Sequence, residues 1–356
     1  MKIIMIAGDG IGPEISAAAR KVLDAANKAF ELNLEIEDEI AGHESLKKYG
    51  ATVTEPLLKK VEQADGLILG PMSTLDFKDE GKGEINPSKF FRKSLDLYAN
   101  IRPAKTYEGL RSPVNNFDLI VVRENTEGFY ADRNMEQGSG EILVTPDVAI
   151  SLRRITRHCC ERIAQSAFEL AQIRKKHLTI VHKANVLKIA DGMFIGICHE
   201  VGKKFPDVVV DDFIVDAMAA LLVRAPDQFD VIVTTNMFGD ILSDLTSELS
   251  GSLGMAASIN AGSNHAMAQA AHGSAPDIAR KNIANPYSLI LSSALLLEWH
   301  AQRSGKQEYL AAASAIKAGA SAAIIAKEAT RDIGGNLGTK EAGDALARRL
   351  QQHSKV

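Results

Sequence analysis

The sequence predicts an α/β fold in which helices cover a mostly parallel sheet, and two observations carry this prediction. Short apolar runs of the kind that form buried strands recur along the chain, at residues 2–7, 66–70, 119–122, 178–181, 208–210 and 229–236. Helical patterns separate most of these runs, and this alternation is typical of parallel strands joined by helices. With 356 residues, the chain is long for a single core and indicates one large or two medium domains.

Composition excludes several classes of protein. The net charge is −4 and the charged residues are dispersed, so there is no basic stripe for nucleic acid. The apolar run at residues 3–7 is too short for a signal segment, and no run approaches the roughly 18–20 residues that cross a bilayer. Three cysteines, including the adjacent Cys159 and Cys160, match neither a disulfide framework nor a zinc spacing. We therefore expect a cytoplasmic protein without a membrane or nucleic-acid partner, whose cysteines are core thiols.

The first strand leads into a glycine turn and a helix. Residues 8–14 read Gly-Asp-Gly-Ile-Gly-Pro-Glu, and an apolar helix face follows at Ile15, Ala18, Val22, Ala26 and Phe30. The turn lacks the third glycine of the Rossmann fingerprint, and no acidic residue clearly closes a second strand about 20 residues later. We therefore expect no Rossmann site.

Two segments of the chain have the composition of irregular loops. Residues 72–87 are rich in Gly, Asp, Lys and Ser, and residues 258–272 are rich in Ala, Gly, Asn and Ser. A long loop in a compact domain is usually functional or mobile. Because the sequence has no internal repeat and no low-complexity linker, we expect strands rather than a tether to join the domains.

Two aspartates follow the last predicted strand. Residues 239–245 are predicted to begin a helix, which places Asp240 and Asp244 on one face at spacing i, i+4. Like charges at this spacing cost an isolated helix about 0.2–0.5 kcal/mol, so we expect a cation between them. Mg²⁺ or Mn²⁺ is the simplest candidate. The alternative is a pair of solvated acids in a first helical turn, where the helix dipole favours them.

Arg92, Arg102 and Arg123 lie near predicted element ends. Planar guanidinium groups that converge on one site would suit a substrate with two or more carboxylates. Arg123 is the strongest candidate, because it ends an apolar strand, where open α/β sheets place their ligands. Spacing alone leaves the convergence open, and a single arginine is more often a surface side chain.

Five motifs occur in a fixed order and carry a family resemblance. They are DGIGPE at 9–14, LDLYANIRP at 95–103, RENTEGFY at 123–130, HKAN at 182–185 and NMFGDILSD at 236–244. From about residue 3 to about residue 346, the chain resembles the isocitrate and isopropylmalate dehydrogenases, which are metal-dependent β-decarboxylating dehydrogenases. Five long motifs in sequence are far more specific than one isolated pattern.

The resemblance implies a two-domain α/β fold, distinct from the Rossmann fold, in which the domains share a mostly parallel central sheet. It implies a large, discontinuous nucleotide-binding domain at residues 1–101 and 256–356. The small domain, at residues 102–255, is expected to carry the dimer interface and the metal-site aspartates. The resemblance also implies a homodimer, or a tetramer built from it, with active sites completed by the partner subunit.

The resemblance assigns roles to matching positions. These are the catalytic Tyr130 and Lys183, the substrate-binding Arg92, Arg102, Arg123 and Asn185, and the metal-site aspartates Asp216, Asp240 and Asp244. In the family, the lysine and the first of these aspartates reach across the dimer into the neighbour's site.

The chemistry explains why these residue types are needed. Oxidation of a secondary alcohol requires loss of the hydroxyl proton, and Mg²⁺ or Mn²⁺ bound to that oxygen lowers its pKa. Lys183 is the expected base. After the oxidised product has lost CO₂, Tyr130 is expected to donate the proton that converts enol to ketone.

A loop late in the chain, HGSAPDIA at 272–279, resembles the family's adenosine-binding loop. The expected nucleotide contacts are Thr74, His272, Gly273, Ser274, Ala275, Asp277, Ile278 and Asn285. Members that use NADP carry a lysine and a tyrosine at the positions of Asp277 and Ile278. Because an aspartate accepts hydrogen bonds from a ribose diol and repels a 2′-phosphate, we expect NAD as the cofactor. The alternative is that Asp277 is only a turn or cap residue.

The chain departs from the family pattern beside this loop. Before His272 the family usually has a Phe-Glu-Pro-Val type segment, whereas residues 268–271 read Ala-Gln-Ala-Ala, and Arg280 replaces the usual glycine. These changes bear on cofactor affinity and on the order of residues 262–280.

A second departure predicts the character of the substrate. Residues 86–89 read Asn-Pro-Ser-Lys, where isopropylmalate enzymes usually offer leucines, so Ser88 and Lys89 are candidate substrate-binding residues. Buried donors that face an isopropyl group without a partner cost about 1–3 kcal/mol each, so we expect a polar substituent. In the alternative, Lys89 turns to solvent, and Phe90 or Phe91 lines an apolar pocket.

The leading hypothesis is NAD-dependent oxidative decarboxylation of a (2R,3S)-type 3-substituted malate, with isocitrate or homoisocitrate as the substrate. 3-Isopropylmalate, D-malate and tartrate are the alternatives within this class. A non-catalytic regulatory subunit is the alternative from another class. Such a subunit has no physical need for Tyr130, Lys183 and three metal-site aspartates, so the catalytic hypothesis is preferred.

Overall fold

The computed structural model describes residues 1–114, 116–130 and 140–353. The chain divides into two compact units. The first unit comprises Met1–Leu95, Tyr107–Arg111 and Gly251–Val356, and the second comprises Asp96–Thr106 and Ser112–Ser250. The boundaries proposed from the sequence, after residues 101 and 255, lie a few residues later than these divisions. The strand at Ala99–Lys105 belongs to the second unit, because it pairs along its length with the strand at Asp118–Glu124.

Strands and helices follow one another along most of the described chain. In chain order, the strands are β1 (Lys2–Ile6), β2 (Glu35–Glu39), β3 (Gly66–Leu69), β4 (Ala99–Lys105), β5 (Asp118–Glu124), β6 (Glu141–Thr145), β7 (Val148–Ser151), β8 (His177–His182), β9 (Val209–Ile214), β10 (Val231–Thr234), β11 (Ile259–Ala261) and β12 (Ala266–Gln269). The helices are α1 (Gly12–Phe30), α2 (His43–Tyr49), α3 (Glu55–Glu62), α4 (Pro87–Ser94), α5 (Arg157–Gln172), α6 (Ala190–Gly202), α7 (Val215–Arg224), α8 (Asn236–Leu249), α9 (Tyr287–Ser304), α10 (Gln307–Ile325) and α11 (Thr339–His353). Among the described residues, no helix is long and apolar enough to cross a membrane.

The strands of the first unit lie in the order β2-β1-β3-β12-β11. Their pairings are parallel except for the antiparallel pair β11–β12. Helix α1 packs against α9, α10 and α11. Of its predicted apolar face, Ile15, Ala18, Val22 and Ala26 are buried, whereas Phe30 is half-buried. Pro13 in its first turn suits a helix start, because the backbone N–H that proline lacks would have no helical partner there.

The main sheet of the second unit has the strand order β4-β5-β10-β8-β9, and within this sheet only the β4–β5 pairing is antiparallel. Neighbouring residues of β5 face opposite sides of this sheet: Val122 joins a core with Ile163 of α5, and Val121 joins a core with Leu242 of α8. Helices therefore cover both faces, which explains why its central strands are continuously apolar.

Two local predictions are wrong. Residues 258–272 are not irregular throughout, because they contain β11 and β12, and β12 pairs with the buried strand β3. Helix α8 begins at Asn236 rather than at residue 239, so Asp240 and Asp244 lie beyond its first turn, which contains no acidic residue. The alternative that the helix dipole stabilises two first-turn acids is therefore excluded. Residues 72–86 contain only a short 3₁₀ turn at Glu80–Lys82, as expected for a loop.

Candidate functional site

Arg123 ends the buried strand β5 and reaches helix α8. Its guanidinium donates from Nε and Nη2 to Asn236 Oδ1, at 2.9 and 2.7 Å, and from Nη1 to the Asp240 carboxylate. Only 1% of Arg123 is exposed. Its charge is therefore held by the helix rather than by water, and its position is fixed.

Arg102 approaches the same helix from β4. Its Nε donates to Asn100 Oδ1 at 2.7 Å, and Nη1 donates to Ser243 Oγ at 2.8 Å and to Asp244 Oδ1 at 3.0 Å. Nη2 lies 3.3 Å from Asp240 Oδ1. Burial, followed by the charge of Arg123, lowers the pKa of the Arg102 guanidinium. Arg102 thus supplies a cation that contacts both aspartates in this structure.

The two aspartates remain partly accessible. The side chains of Asp240 and Asp244 are 36% and 59% exposed, and burial raises the pKa of Asp244. A divalent cation would favour the ionised form of that carboxyl, and carboxylate oxygens are the donors that Mg²⁺ and Mn²⁺ prefer. The donor set therefore fits such an ion. Within residues 1–114, 116–130 and 140–353, however, no three acidic, His or Cys side chains form a group that could hold a metal.

Tyr130 joins this cluster through the turn that follows β5. Its hydroxyl donates to Asp240 Oδ2, and its ring centroid lies 5.1 Å from the Arg123 guanidinium carbon. The turn itself is held by Glu124, which accepts from the Thr126 and Glu127 backbone N–H groups at 2.8 and 3.0 Å. Glu124 of the RENTEGFY motif thus shapes the loop that contains Tyr130.

Lys183, which follows β8, and Asp216, in the first turn of α7, form a separate pair. Lys183 Nζ donates to Asp216 Oδ1 at 2.5 Å, and this hydrogen bond lowers the pKa of Asp216. The side chains are 26% and 61% exposed. Asn185, a predicted substrate contact, is exposed in the turn that follows β8. No hydrogen bond or ion pair of the described residues joins Asp216 to Asp240 or Asp244.

Sequence reasoning missed the residue that positions the Lys183 backbone. Asp191 is fully buried in α6, and its Oδ2 accepts from the Lys183 N–H at 2.6 Å. Its Oδ1 accepts from Arg153 Nη1 at 2.5 Å, and Arg153 also donates to Thr235 Oγ1 at 3.0 Å. An aspartate in a helical pattern carries no signal of such a role, which depends on contacts distant in sequence.

The predicted substrate-binding residues of α4 are linked to β12. Ser88 is 7% exposed and its Oγ accepts from Gln269 Nε2 at 2.6 Å, while Arg92 Nη2 donates to Gln269 Oε1 at 3.1 Å. Lys89 is 21% exposed and its Nζ lies 2.7 Å from Glu80 Oε1. Asn86 caps the helix by accepting from the Lys89 N–H at 3.2 Å. Phe91 is fully buried.

The predicted nucleotide residues after β12 surround a cavity of about 250 Å³. Its lining consists of Ile11, Leu253, Gly254, His272, Gly273, Ala275, Ile278 and Asn285. Burial lowers the pKa of His272, which favours the neutral ring, and its Nε2 is buried with no hydrogen-bond partner in the described chain. Such an orphaned atom suits a ligand that can exchange a hydrogen bond with it.

The remaining nucleotide candidates differ in accessibility. Asn285 Oδ1 accepts from the Tyr287 N–H at 2.9 Å, and its Nδ2 donates to Asp332 Oδ2 at 2.8 Å. Asp277, in a short 3₁₀ turn, and Thr74, in the loop after β3, are both exposed. Ser274 is buried, and its Oγ lies 3.0 Å from Ser73 Oγ.

The DGIGPE motif anchors this nucleotide loop. The Ile11 N–H donates to Ser274 O at 2.8 Å, and a Cβ at Gly10 would lie 2.0 Å from the same oxygen, so only glycine fits. Glu14 accepts from the Arg280 N–H at 3.2 Å. Arg280 has φ +63°, a left-handed conformation that glycine adopts readily and that explains the usual glycine of the family. Gly10 therefore serves the close packing of the two backbone segments.

The fold is that of an α/β protein, and comparison with known proteins gives its family. The model of the isocitrate/isopropylmalate dehydrogenase family matches residues 2–346. The chain is 40% identical to homoisocitrate dehydrogenase of Methanocaldococcus jannaschii, over 100% of the chain and 99% of that enzyme. It is 38% identical to 3-isopropylmalate dehydrogenase of Sulfurisphaera tokodaii, over 95% and 96% of the two chains.

A solved structure gives the same result. Isocitrate dehydrogenase from Methylococcus capsulatus superposes with a TM-score of 0.86 at 37% identity, covering 99% of each chain. The chain belongs to the isocitrate/isopropylmalate dehydrogenase family. The predicted family and the mixed α/β fold with a large, mostly parallel sheet are thereby confirmed. The relatives carry names for three different substrates at similar identity, so identity alone does not select one.

Proposed function

We propose that this dehydrogenase oxidatively decarboxylates isocitrate or homoisocitrate, using NAD and Mg²⁺ or Mn²⁺. The observation that carries the proposal is the convergence of Arg102, Arg123 and Tyr130 on Asp240 of α8. Two buried guanidinium groups beside accessible carboxylates suit an anionic substrate that is bound together with a cation.

The chain's own residues would divide the chemistry as follows. Arg92, Arg102 and Arg123 bind the carboxylates of the substrate and fix its orientation. Lys183 Nζ accepts the hydroxyl proton as hydride leaves the neighbouring carbon, and Tyr130 Oη supplies the proton to the carbon from which CO₂ departs. Asn185 is proposed as a further polar contact to the substrate.

The metal would be held by Asp240 and Asp244, with Asp216 from a second copy of the chain. When bound, such an ion would supply Lewis-acid chemistry that lowers the pKa of the substrate hydroxyl. Asp216 belongs to this set by position in the family pattern, and its exposure leaves its carboxylate accessible to another subunit.

The cofactor proposal is supported by the cavity beside His272 and by the charge of Asp277. We assign adenine to the cavity and the ribose diol to the exposed Asp277 carboxylate, whose charge would repel a 2′-phosphate. Thr74, Gly273, Ser274 and Asn285 complete the proposed contacts. When bound, NAD would supply the acceptor for the hydride that leaves the substrate carbon.

A homodimer is supported by apolar surface on the second unit. Strands β6 and β7 form a separate two-stranded sheet whose residues are all exposed, including Ile142, Leu143, Val148 and Ile150. An isolated hairpin of this kind is marginally stable in water, so a partner surface accounts for it. We propose that two copies pair through this hairpin, and that a tetramer would be built from such dimers.

The proposed location is the cytoplasm. Cys159, Cys160 and Cys198 are free and buried, as suits a reducing compartment.

The substrate proposal rests on α4. Ser88 and Lys89 are the polar candidates there, and of the residues proposed for an apolar pocket, Phe91 is fully buried and Phe90 is half-buried. Measuring kcat/KM for isocitrate, homoisocitrate, 3-isopropylmalate, D-malate and tartrate, each with NAD and NADP, tests the proposal. We expect the highest values for a carboxylate-bearing substituent with NAD. A clear preference for 3-isopropylmalate that persists in Lys89→Leu, or equal use of both nucleotides, would contradict it.

A further inference from the structure

Gln269 joins strand β12 to helix α4 and lies outside the residues that the family pattern assigns to the substrate. It is 7% exposed, and its side-chain amide lies between Ser88 Oγ and Arg92 Nη2. Its backbone is held as well, because its N–H donates to Ser258 O and its carbonyl accepts from Ser292 Oγ, both at 3.1 Å. The amide is therefore fixed in place.

Arg92 determines which way this amide points. A guanidinium group has donors only, so the amide oxygen must face Arg92 and the amide NH₂ must face Ser88. Ser88 Oγ consequently accepts a hydrogen bond at 2.6 Å, and its own hydrogen is not used in that bond. In the part of the chain that the structure describes, no acceptor takes the Ser88 hydroxyl hydrogen.

We propose that Gln269 is a positioning residue that makes the Ser88 hydroxyl a donor toward the substrate, and thereby favours substrates whose third substituent carries a carboxylate. The inference rests on the proposed function. Ser88 lies in the first turn of α4, one helical turn before Arg92. A neutral amide also adds no negative charge beside Arg92, so it leaves the local field favourable to an anionic substituent.

The glutamate usual at this position in the family would reverse the arrangement. A carboxylate has acceptors only, so it would accept from Arg92 and from the Ser88 hydroxyl at once. The lone pairs of Ser88 would then face the substrate, where they repel a carboxylate. Glutamine in place of glutamate therefore keeps the shape of the side chain but makes Ser88 the acceptor, rather than the donor, of the hydrogen bond between the two residues.

Two substitutions separate this role from a structural one. Gln269→Glu keeps the shape and the Arg92 contact, whereas Gln269→Met keeps the volume and removes both hydrogen bonds. A structural role predicts that Glu is tolerated better than Met. The proposed role predicts the opposite for the preferred carboxylate-bearing substrate: kcat/KM falls about 10-fold or more in Gln269→Glu, mainly through KM, and less in Gln269→Met.

A double-mutant cycle with Ser88→Ala completes the test. In the Ser88→Ala variant, Gln269→Glu should lower kcat/KM by less than about 3-fold. With Ser88 in place, the loss of kcat/KM caused by Gln269→Glu should be smaller for D-malate, which has no third substituent, than for the carboxylate-bearing substrate. The inference would be overturned if Gln269→Glu had the kcat/KM of the wild type, or if it lost less kcat/KM than Gln269→Met. It would also be overturned if Gln269→Glu lowered kcat/KM equally with and without the Ser88 hydroxyl. If Gln269→Met fails to fold, the cycle decides alone. A wild-type enzyme inactive on every 3-substituted malate would instead refute the proposed function.

Discussion

Asp240 accepts contacts from Arg102, Arg123 and Tyr130, which come from β4, from β5 and from the turn after β5. One carboxylate therefore fixes the positions of three side chains, each of which is more than 100 residues away in sequence from Asp240. The two guanidinium groups approach Oδ1, the Tyr130 hydroxyl donates to Oδ2, and the side chain is still 36% exposed.

Asp240→Asn should lower turnover by more than about 100-fold, because it removes an anionic ligand from the proposed metal site while keeping the side-chain shape. Turnover should be measured over a range of Mn²⁺ concentrations, together with the rise in Tm that Mn²⁺ produces in the wild type. We expect this rise to be absent or small in the variant.

The matched control is Asp227→Asn, which makes the same change at an exposed acid that precedes β10, at the opposite end of that strand from α8. It should leave turnover and the Mn²⁺-dependent Tm shift within about 2-fold of the wild type, because exposed charges far from a site contribute little. Near wild-type turnover of Asp240→Asn at limiting Mn²⁺ would exclude Asp240 as a ligand.

The residues proposed to contact the substrate carry clearer local sequence signals than the residues that support them. Arg123 has a local signal, since a charged residue directly ends an apolar strand. Asp191, Glu14 and Gln269 have none, because each acts through partners many residues away. For such residues, only the folded structure shows which backbone or side-chain group they bind.

At the scale of elements, the packing of α8 on β5 depends on one glycine. A Cβ at Gly239 would lie 2.6 Å from Arg123 Cβ and 2.7 Å from Arg123 Cγ. The helix therefore lies against the stem of the arginine whose head it binds. This close approach is what brings Asn236 and Asp240 within reach of one guanidinium group.

Gly239→Ala should destabilise the protein by about 1–3 kcal/mol, because the added methyl group forces the helix and Arg123 apart. Denaturant unfolding measures this loss, and KM for the substrate should rise as Arg123 moves. Gly196→Ala is the control, since Gly196 lies in α6 with nothing within 4 Å of its added Cβ. There the same change should stabilise by about 0.5–1 kcal/mol. Equal effects at the two sites would show that the close approach has no energetic consequence.

The elements that were predicted are those whose own residues specify them. Strand β10 reads Val-Ile-Val-Thr and is recognisable alone. Strand β12 reads Ala-Met-Ala-Gln, whose alanines have little intrinsic preference for strands, and it forms because pairing with β3 buries it. Strand β2 reads Glu-Ile-Glu-Asp-Glu and pairs with β1 at the edge of its sheet. Tertiary pairing, which the local sequence does not encode, decides both cases.

At the scale of the whole molecule, the three proposed metal-site aspartates do not form one group within the described chain. Asp216 pairs with Lys183, whereas Asp240 and Asp244 contact Arg102. A second copy of the chain is the simplest source of the missing ligand. The proposed sites would then be shared, with Tyr130 from one subunit and Lys183 from the other.

Shared sites predict that two inactive variants rescue each other. Tyr130→Phe and Lys183→Met should each be inactive alone, and mixing them under conditions of subunit exchange should restore activity. With random pairing, about a quarter of the sites would contain both intact groups, so about a quarter of wild-type activity is expected. Exchange should be verified with differently tagged chains. Verified exchange without any recovery would show that each site is built from one chain.

The buried thiols have a practical consequence for following the unfolding of this enzyme. Cys159, Cys160 and Cys198 all lie in the second unit, and burial raises the pKa of each, that of Cys160 to about 12. A thiol reacts with alkylating reagents as its thiolate, so the folded second unit resists modification. The rate of alkylation therefore reports the opening of that unit alone, because the first unit contributes no cysteine to the signal.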